Sequence, residues 1–428
     1  MTADKQISSR PAPDVGGWRS AVSNLSSAQF RRVFAGNMAF FLAMQGQSLV
    51  RSVIVYDITE SKLALGTVSA SVAITMLLAS PIGGVLADRI ERRKLILIAQ
   101  SAALVAETIF FALLVTDRLE FWHMVLLGAT MGCVFPLIMP ARQAIVVNIV
   151  GKRGLGSAIA LNMAGVNIMR VLGPAAAGFL IYAIGVKGAY AVNLTLYAVA
   201  LIAMLMVAPV KPPLKALEVS ILTNLLDGVR YVRSNKIVGM LLLYGLVPMF
   251  LVMPFQTLLV VFATDIWDTG TVGLGILNAA AGCGGIAGSF YVAWRGESNR
   301  RMKLMALSVV SFGILLMFFS LSPYFYPAVV LIFSANIFAS IFQTLNNTAI
   351  QLLVSDDVRG RISSFLMMSF SLPLLGTLPL SAVAESLGAD VAVAGASVLA
   401  VVAAVLFHYF SSALRDLDAT VQAATERD

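Results

Sequence analysis

Charge is scarce in this sequence. Asp, Glu, Lys and Arg make up 12% of 428 residues while 59% are hydrophobic, and the mean hydropathy is +0.87. That excludes an ordinary soluble domain, in which about a quarter of residues are charged. Histidine and cysteine are scarcer still, with two of each: His123, His408, Cys133 and Cys283. No CxxC pair or Cys/His neighbourhood can be assembled from them, so a metal finds almost no ligands. Both histidines fall at the ends of apolar runs without acidic partners, which leaves a membrane enzyme no nucleophile and base to work with. The phosphate-cradling pattern GxxxxGK[ST] is also missing, which argues against direct drive by ATP. No cofactor is expected. Each cysteine lies within an apolar segment and is expected to be a small buried hydrophobe.

What the chain has in abundance is apolar runs. A helix needs about 20 apolar residues to cross the hydrocarbon core, where only helices or closed barrels satisfy their backbone. That window yields twelve predicted helices, from 33–56 and 65–87 through 157–182 and 188–208 to 362–385 and 389–411. The sequence therefore predicts an all-α membrane protein with twelve transmembrane helices in two six-helix pseudo-repeat bundles around a central cavity. The predicted parts are a flexible tail over 1–28, a first bundle over 29–208, a linker over 209–236, a second bundle over 237–412 and a tail over 413–428. In the linker, Ile221, Leu222, Leu225, Val229 and Val232 recur at helical spacing opposite Asn224, Asp227 and Ser234, the pattern of a helix lying on a membrane surface.

The net charge of +8 does not form the single basic face of a nucleic-acid binder; the cations sit in short clusters between apolar runs. Only Lys62, Arg118 and Lys187 fall in loops of one parity, and only Arg51, Arg142 and Arg170 fall inside spans; all other Lys and Arg fall on the opposite side. The positive-inside rule then places both termini in the cytoplasm of a multi-pass protein of the plasma, or bacterial inner, membrane. The halves echo each other: Gly84 precedes the basic turn "DRIERRK", Gly288 precedes "RGESNRRMK", and the same separation carries Gly156 onto Gly360.

Gly84, Asp88, Arg89, Arg92, Arg93 and Lys94 reproduce G-x-x-x-D-R-x-x-R-R-K, and on this motif the chain resembles the major facilitator superfamily, with Glu91 where that pattern usually has glycine. "QFRRVFAG", "MPARQAIV", "LNMAGVNIMRVLGPAAAGFLI", "DGVRYVRSNK" and "VRGRISS" narrow the resemblance to bacterial exporters that include those of enterobactin and macrolides. The resemblance implies that Gly84, Asp88, Arg89, Arg92 and Arg93 form a conformational latch between the halves, reaching toward Arg359 and Arg361; the alternative is a topology signal only. It likewise implies that Gly173, Pro174 and Gly178 in "GPAAAG" form a helix-bend gate of the kind exporters carry, with a plain packing kink as the alternative.

An ionised side chain near the bilayer centre costs about 2.5–3.5 kcal/mol on insertion scales, so each one marks a protected site. Gln47 and Arg51 share a face of the first helix, and Asn167 and Arg170 share one in the fifth. With Arg142 they are expected to line a cavity suited to an anionic or amphipathic small molecule, unless Arg142 and Arg170 serve to pair with carbonyls or with Glu107. Asn336, Ser340, Gln343, Asn347 and Gln351 draw a polar stripe along the tenth helix, either as cavity lining or as hydrogen-bonding glue between helices. Glu107 is the one acid deep in a predicted span and is the candidate for proton coupling; a fixed Glu107–Arg142 pair is the alternative. Asp57, Asp265 and Asp268 are expected to be solvated at the outer ends.

The functional expectation is a secondary active exporter of a small amphipathic molecule (drug, siderophore or similar metabolite), working by alternating access and proton antiport. Its expected partners are a small-molecule substrate, protons and membrane lipids, with no nucleic acid, as a monomer. A lipid carrier of the same superfamily is the alternative. A non-transporting sensor would need a sizeable soluble output domain, and only a short tail is expected after residue 412.

Overall fold

A computed structural model describes residues 25–150, 155–209, 230–295, 301–354, 371–411 and 418. Among them every regular element is helical. In chain order these are α1 Ala28–Thr59, α2 Lys62–Arg89, α3 Arg92–Val115, α4 Phe121–Val150 and α5 Leu155–Leu205. There follow a rod, α6, over Lys236–Ile266, then α7 Gly270–Arg295, α8 Arg301–Ser320, α9 Phe325–Leu353, α10 Leu372–Leu387 and α11 Ala389–Phe410. Of these described helices, ten are long and apolar enough to cross a membrane; Leu372–Leu387 is apolar but shorter.

Two of the predicted helices, 157–182 and 188–208, appear as limbs of α5. Its only residue with non-helical dihedrals is Gly185, at φ 73° and ψ 170°, a region open to glycine alone. The second half repeats the device at Gly388, φ 98° and ψ 152°, between α10 and α11. Pro174, by contrast, stays inside α5. The start of the predicted eleventh span and the linker helix around Ile221–Val229 lie outside the described residues.

Helix starts are fixed locally. Ser27, Ser61 and Asn235 each accept a hydrogen bond from a first-turn N–H, of Phe30, Ala64 and Val238 respectively, satisfying donors that the helix itself leaves free. The rod α6 contains two π-helical turns, Pro248–Val252 and Phe262–Ile266. Pro248 and Pro254 supply no N–H to the α-helical ladder, which makes room for the first.

Glycines set the closest helix approaches, as expected where packing rather than water drives association. In the first half, a Cβ on Gly83 of α2 would lie 2.5 Å from the Pro136 carbonyl oxygen of α4; in the second, a Cβ on Gly288 of α7 would lie 2.2 Å from that of Ile337 in α9. Between the halves, α2 packs along α10 and α5 along α7.

The bundle has two unlike ends. The basic end carries Arg31, Arg32, Arg92–Lys94, Lys236, Arg295, Arg301 and Lys303; the far end carries the turns at Glu60, Asp117, Gly185, Asp268 and Gly388. At the far end a single apolar core joins both halves, with Val53, Leu65 and Ile181 of the first half and Phe255, Leu274 and Leu380 of the second. Among the described residues the cores separate toward the basic end. Phe30, Leu95, Ile145 and Met204 cluster within the first half, and Tyr244, Met305, Phe342 and Ile350 within the second. Cys133 and Cys283 are exposed on helix surfaces, which corrects their expected burial: in a membrane bundle an apolar residue gains nothing by facing inward rather than lipid.

Candidate functional site

Glu107 is the organising residue. It sits on the buried face of α3 with no exposure, and such a charge is tolerable only if paired and hydrogen-bonded. Arg51 of α1 supplies the ion pair to Oε1. Gln47, one turn earlier on the same face, donates its amide to Oε2 at 3.0 Å, and Tyr190 of the second α5 limb donates its hydroxyl to that same oxygen. Phe110 and Phe111, in the next turn after Glu107, stack on the Tyr190 ring at 5.3 and 5.7 Å and so aim its hydroxyl. Glu107 thus pairs with Arg51, and the alternative Glu107–Arg142 pair is not formed. The side chain of Arg51 keeps 19% exposure while that of Glu107 has none, so any route from solvent to the carboxylate passes the guanidinium.

Arg142 heads a second centre. Its guanidinium donates to the Oδ1 of Asn37 and lies 4.1 Å over the Phe40 ring, while Asn37 donates to Asn162 Oδ1 at 2.9 Å. Helices α1, α4 and α5 are joined through these contacts. No acid pairs with Arg142 among the described residues, and its Nε and Nη2 have no hydrogen-bond partner. A buried cation held by amides and an aromatic face keeps its electrostatic demand for an anion.

Asn167 and Arg170 are exposed on the first α5 limb. Gly165 and Gly173 of that limb meet Met38 and Gln45 of α1, while Val171 and Gly178 meet Gly282 and Gly275 of α7. Helical spacing then puts exposed Ile168, Leu172 and Phe179 on one edge and Asn167 and Arg170 on the opposite one. Gly173 and Gly178 therefore act as contact faces toward different halves, with Pro174 between them inside α5.

The stripe on α9 divides. Asn336 is buried, donates to its own Ile332 carbonyl and has its Cβ against Gly284 of α7; Ser340 bonds Ser289 of α7 at 2.7 Å. Ser340 thus bonds α9 to α7, while Asn336 only packs against it. Gln343 and Asn347 are half-buried and bond each other at 3.4 Å, and Gln351 is exposed. Buried Asn346 faces Gly245 of the rod, a contact the stripe did not include.

At the basic end, the side chains of Gly84, Asp88 and Arg89, together with Arg359 and Arg361, lie outside the described residues. Arg93 donates to the Leu205 carbonyl at 2.9 Å and Arg32 to that of Met206 at 2.7 Å. Both cations thus cap the C-terminal end of α5 within their own half, the favourable end of the helix dipole for positive charge.

At the far end sequence reasoning missed the main polar contacts. Asp265 is exposed, as expected, and also accepts the Tyr56 hydroxyl. Glu385 of α10 accepts Ser61 Oγ at 3.0 Å, Lys62 N at 2.7 Å and Leu63 N at 3.2 Å. Nothing local signals these pairs, because both partners are ordinary loop-end residues hundreds of positions apart. Asn37 was detectable as a polar residue inside a span; Tyr190, an amphipathic aromatic, carried no such signal.

A family profile described as transmembrane secretion effector matches residues 19–427. The enterobactin exporter EntS of Shigella flexneri is 27% identical over 342 residues, covering 78% of this chain and 79% of that protein. EntS of Escherichia coli O1:K1 / APEC is 27% identical over 341 residues, with 78% and 80% covered. Among solved structures, the nucleoside transporter NupG superposes with a TM-score of 0.70 at 14% identity, covering 90% of this chain and all of that one. A bacterial homologue of the human lysosomal transporter Spinster, inward-facing and unoccupied, gives 0.69 at 14% identity with 96% and 99% covered. These two likenesses concern the fold.

Proposed function

The chain belongs to the transmembrane secretion effector family of major facilitator transporters, and from that premise we propose that it exports a small amphipathic molecule by alternating access, with protons as the counter-flow. It is a multi-pass membrane protein. The observation that carries the reading is the inequality of the two ends: one apolar core and several polar contacts close the halves together at the far end, while at the basic end each half keeps a core of its own. A carrier caught open toward one side has this form.

Counting the limbs of α5 separately and adding Leu372–Leu387, the membrane is crossed twelve times, six in each half, with both termini on the basic, cytoplasmic side. The substrate cavity is bounded by Arg170 and Asn167 on α5 and by Gln343 and Asn347 on α9, with Arg142 and Arg51 recessed behind it. Asn336 bonds its own helix and packs against α7, and Gln47 supports Glu107. Arg142 and Arg170, which pair with no acid among the described residues, suit a substrate that bears an anionic or phenolate group, and the enterobactin exporters among the relatives make a catecholate siderophore the first compound to try. Glu107 is the proton-coupling candidate, because among the described residues it is the sole carboxylate sealed among the first half's helices.

The test is collapse of a preformed proton gradient in inverted membrane vesicles on adding catecholate siderophores, macrolides or cationic drugs. Wild type responds to at least one class, and Glu107→Gln abolishes the response. A response that survives Glu107→Gln removes that residue from coupling. Silence with every compound, together with flux of lysophospholipid, replaces the exporter by a lipid carrier.

A further inference from the structure

The polar contacts of the membrane carboxylates fall into two kinds. All partners of Glu107, namely Arg51, Gln47 and Tyr190, belong to the same half as Glu107 itself. Asp265 and Glu385 belong to the second half; apart from Thr264, which donates to Asp265 Oδ1 at 2.7 Å within that half, their partners Tyr56, Ser61, Lys62 and Leu63 belong to the first. A rigid rocking of one half against the other leaves the first set whole and must break the second.

We propose that Glu385 and Asp265, rather than Glu107, are the carboxylates that change partners in each transport cycle, acting as a two-point latch that holds the far end shut. The inference rests on the alternating-access reading above. Glu385 works as a helix cap borrowed from the opposite half: its carboxylate receives two first-turn N–H groups of α2 and the hydroxyl of the N-cap residue Ser61, at the helix end where negative charge is favoured. Asp265 sits in the last π-helical turn of α6 and ties that turn to the final turns of α1. Between and below these points Gly66 meets Ser381 and Leu378, and Gly178 meets Thr271, so the halves come to backbone contact at this end. Neither carboxylate pairs with a cation among the described residues. Water therefore replaces their neutral partners readily, and the latch is strong enough to bias the equilibrium without freezing it.

Nitroxide labels at Ile58→Cys on α1 and Leu387→Cys on α10, both exposed, report the far-end width by pulsed electron resonance in the full chain in nanodiscs. Cys133→Ser and Cys283→Ser remove the two native thiols, so that only the introduced positions take the label. Glu385→Ala with Asp265→Ala should move the distribution to longer distances, raising the open-to-closed ratio on the order of tenfold or more, as loss of hydrogen bonds to charged groups implies. Ser386→Ala, beside Glu385 but with its hydroxyl bonded to carbonyls of its own helix, should leave it unchanged. Ser61→Ala and Tyr56→Phe each delete one bond without touching a carboxylate and should shift it less in the same direction; they decide the matter if the double variant does not fold. Unchanged distances in these variants, or an equal opening in Ser386→Ala, overturn the latch. Wild type that never widens under an imposed proton gradient or with a catecholate siderophore, while the latch variants do widen, removes alternating access and keeps the latch.

Discussion

The two halves share a scaffold and differ in what they bury. The first half encloses Glu107, Arg142, Gln47, Asn37, Asn193 and Gln100. The second encloses amides and hydroxyls, and most of these return to their own helices: Ser308 to Leu304, Thr377 to Pro373, Ser397 to Val393 and Asn336 to Ile332. Its one buried cation among the described residues, Arg301, stands at the start of α8 on the basic end. The close glycine contacts at Gly83 and Gly288, and the positive-φ turns at Gly185 and Gly388, are common to both. The difference teaches that packing and electrostatics are separable here. Among the described residues, buried charge away from the basic end belongs to the first half.

The strongest way to break this comparison is Glu107→Leu. It strands Arg51 without its counter-ion and should lower stability by about 3–5 kcal/mol, seen as a large fall in the unfolding midpoint in detergent. Adding Arg51→Met should restore most of that loss, since an apolar pair of similar volume is often no worse than a buried ion pair.

Next come Gly83→Ala and Gly288→Ala. Each directs a methyl group at a carbonyl oxygen, 2.5 Å away at Pro136 and 2.2 Å away at Ile337, so each should cost about 1–3 kcal/mol by overpacking. Similar losses in the two variants would sharpen the view that the scaffold is shared; a loss in one alone would break it. Arg142→Met should lower stability by about 1–3 kcal/mol, because it leaves the buried Asn37 oxygen without its donor, yet abolish binding of an anionic substrate in an equilibrium assay. Equal losses of stability and binding would make Arg142 a structural residue. Asn336→Ala in the second half should cost about 0.5–1.5 kcal/mol, the value of one hydrogen bond. The smallest effect belongs to Gly285→Ala, where nothing lies within 4 Å of the added methyl; thermal unfolding should move by no more than the helix-propensity gain of about 1 kcal/mol.

Hydropathy and the distribution of cations marked the helical segments well, since burying backbone in lipid permits little else. They placed separate helices on either side of Gly185, where the chain keeps one near-continuous element, because a single positive-φ glycine turns the chain without a polar loop. Of the site, Arg51, Glu107 and Arg142 were legible as charges in apolar spans, and Gln47 with Arg51 as sharers of one face. Their pairing was not. Arg142 and Arg170 were the claimants to Glu107, whereas Arg51 pairs with it, and the stripe from Asn336 to Gln351 looked uniform although its first members face α7 and its last do not.

Composition and period thus determined by themselves that this chain is a helical membrane protein, where its helices run and which side chains demand a partner. Period fixes the face of a helix on which a residue stands, and lipid forbids leaving its charge bare. The tertiary structure alone decided the partners: Tyr190 and Arg51 for Glu107, Asn37 for Arg142, and Ser61 with Tyr56 for the far-end acids. Those choices depend on which faces meet across several helices, and distances of a few ångströms between segments far apart in the chain leave no trace in local sequence.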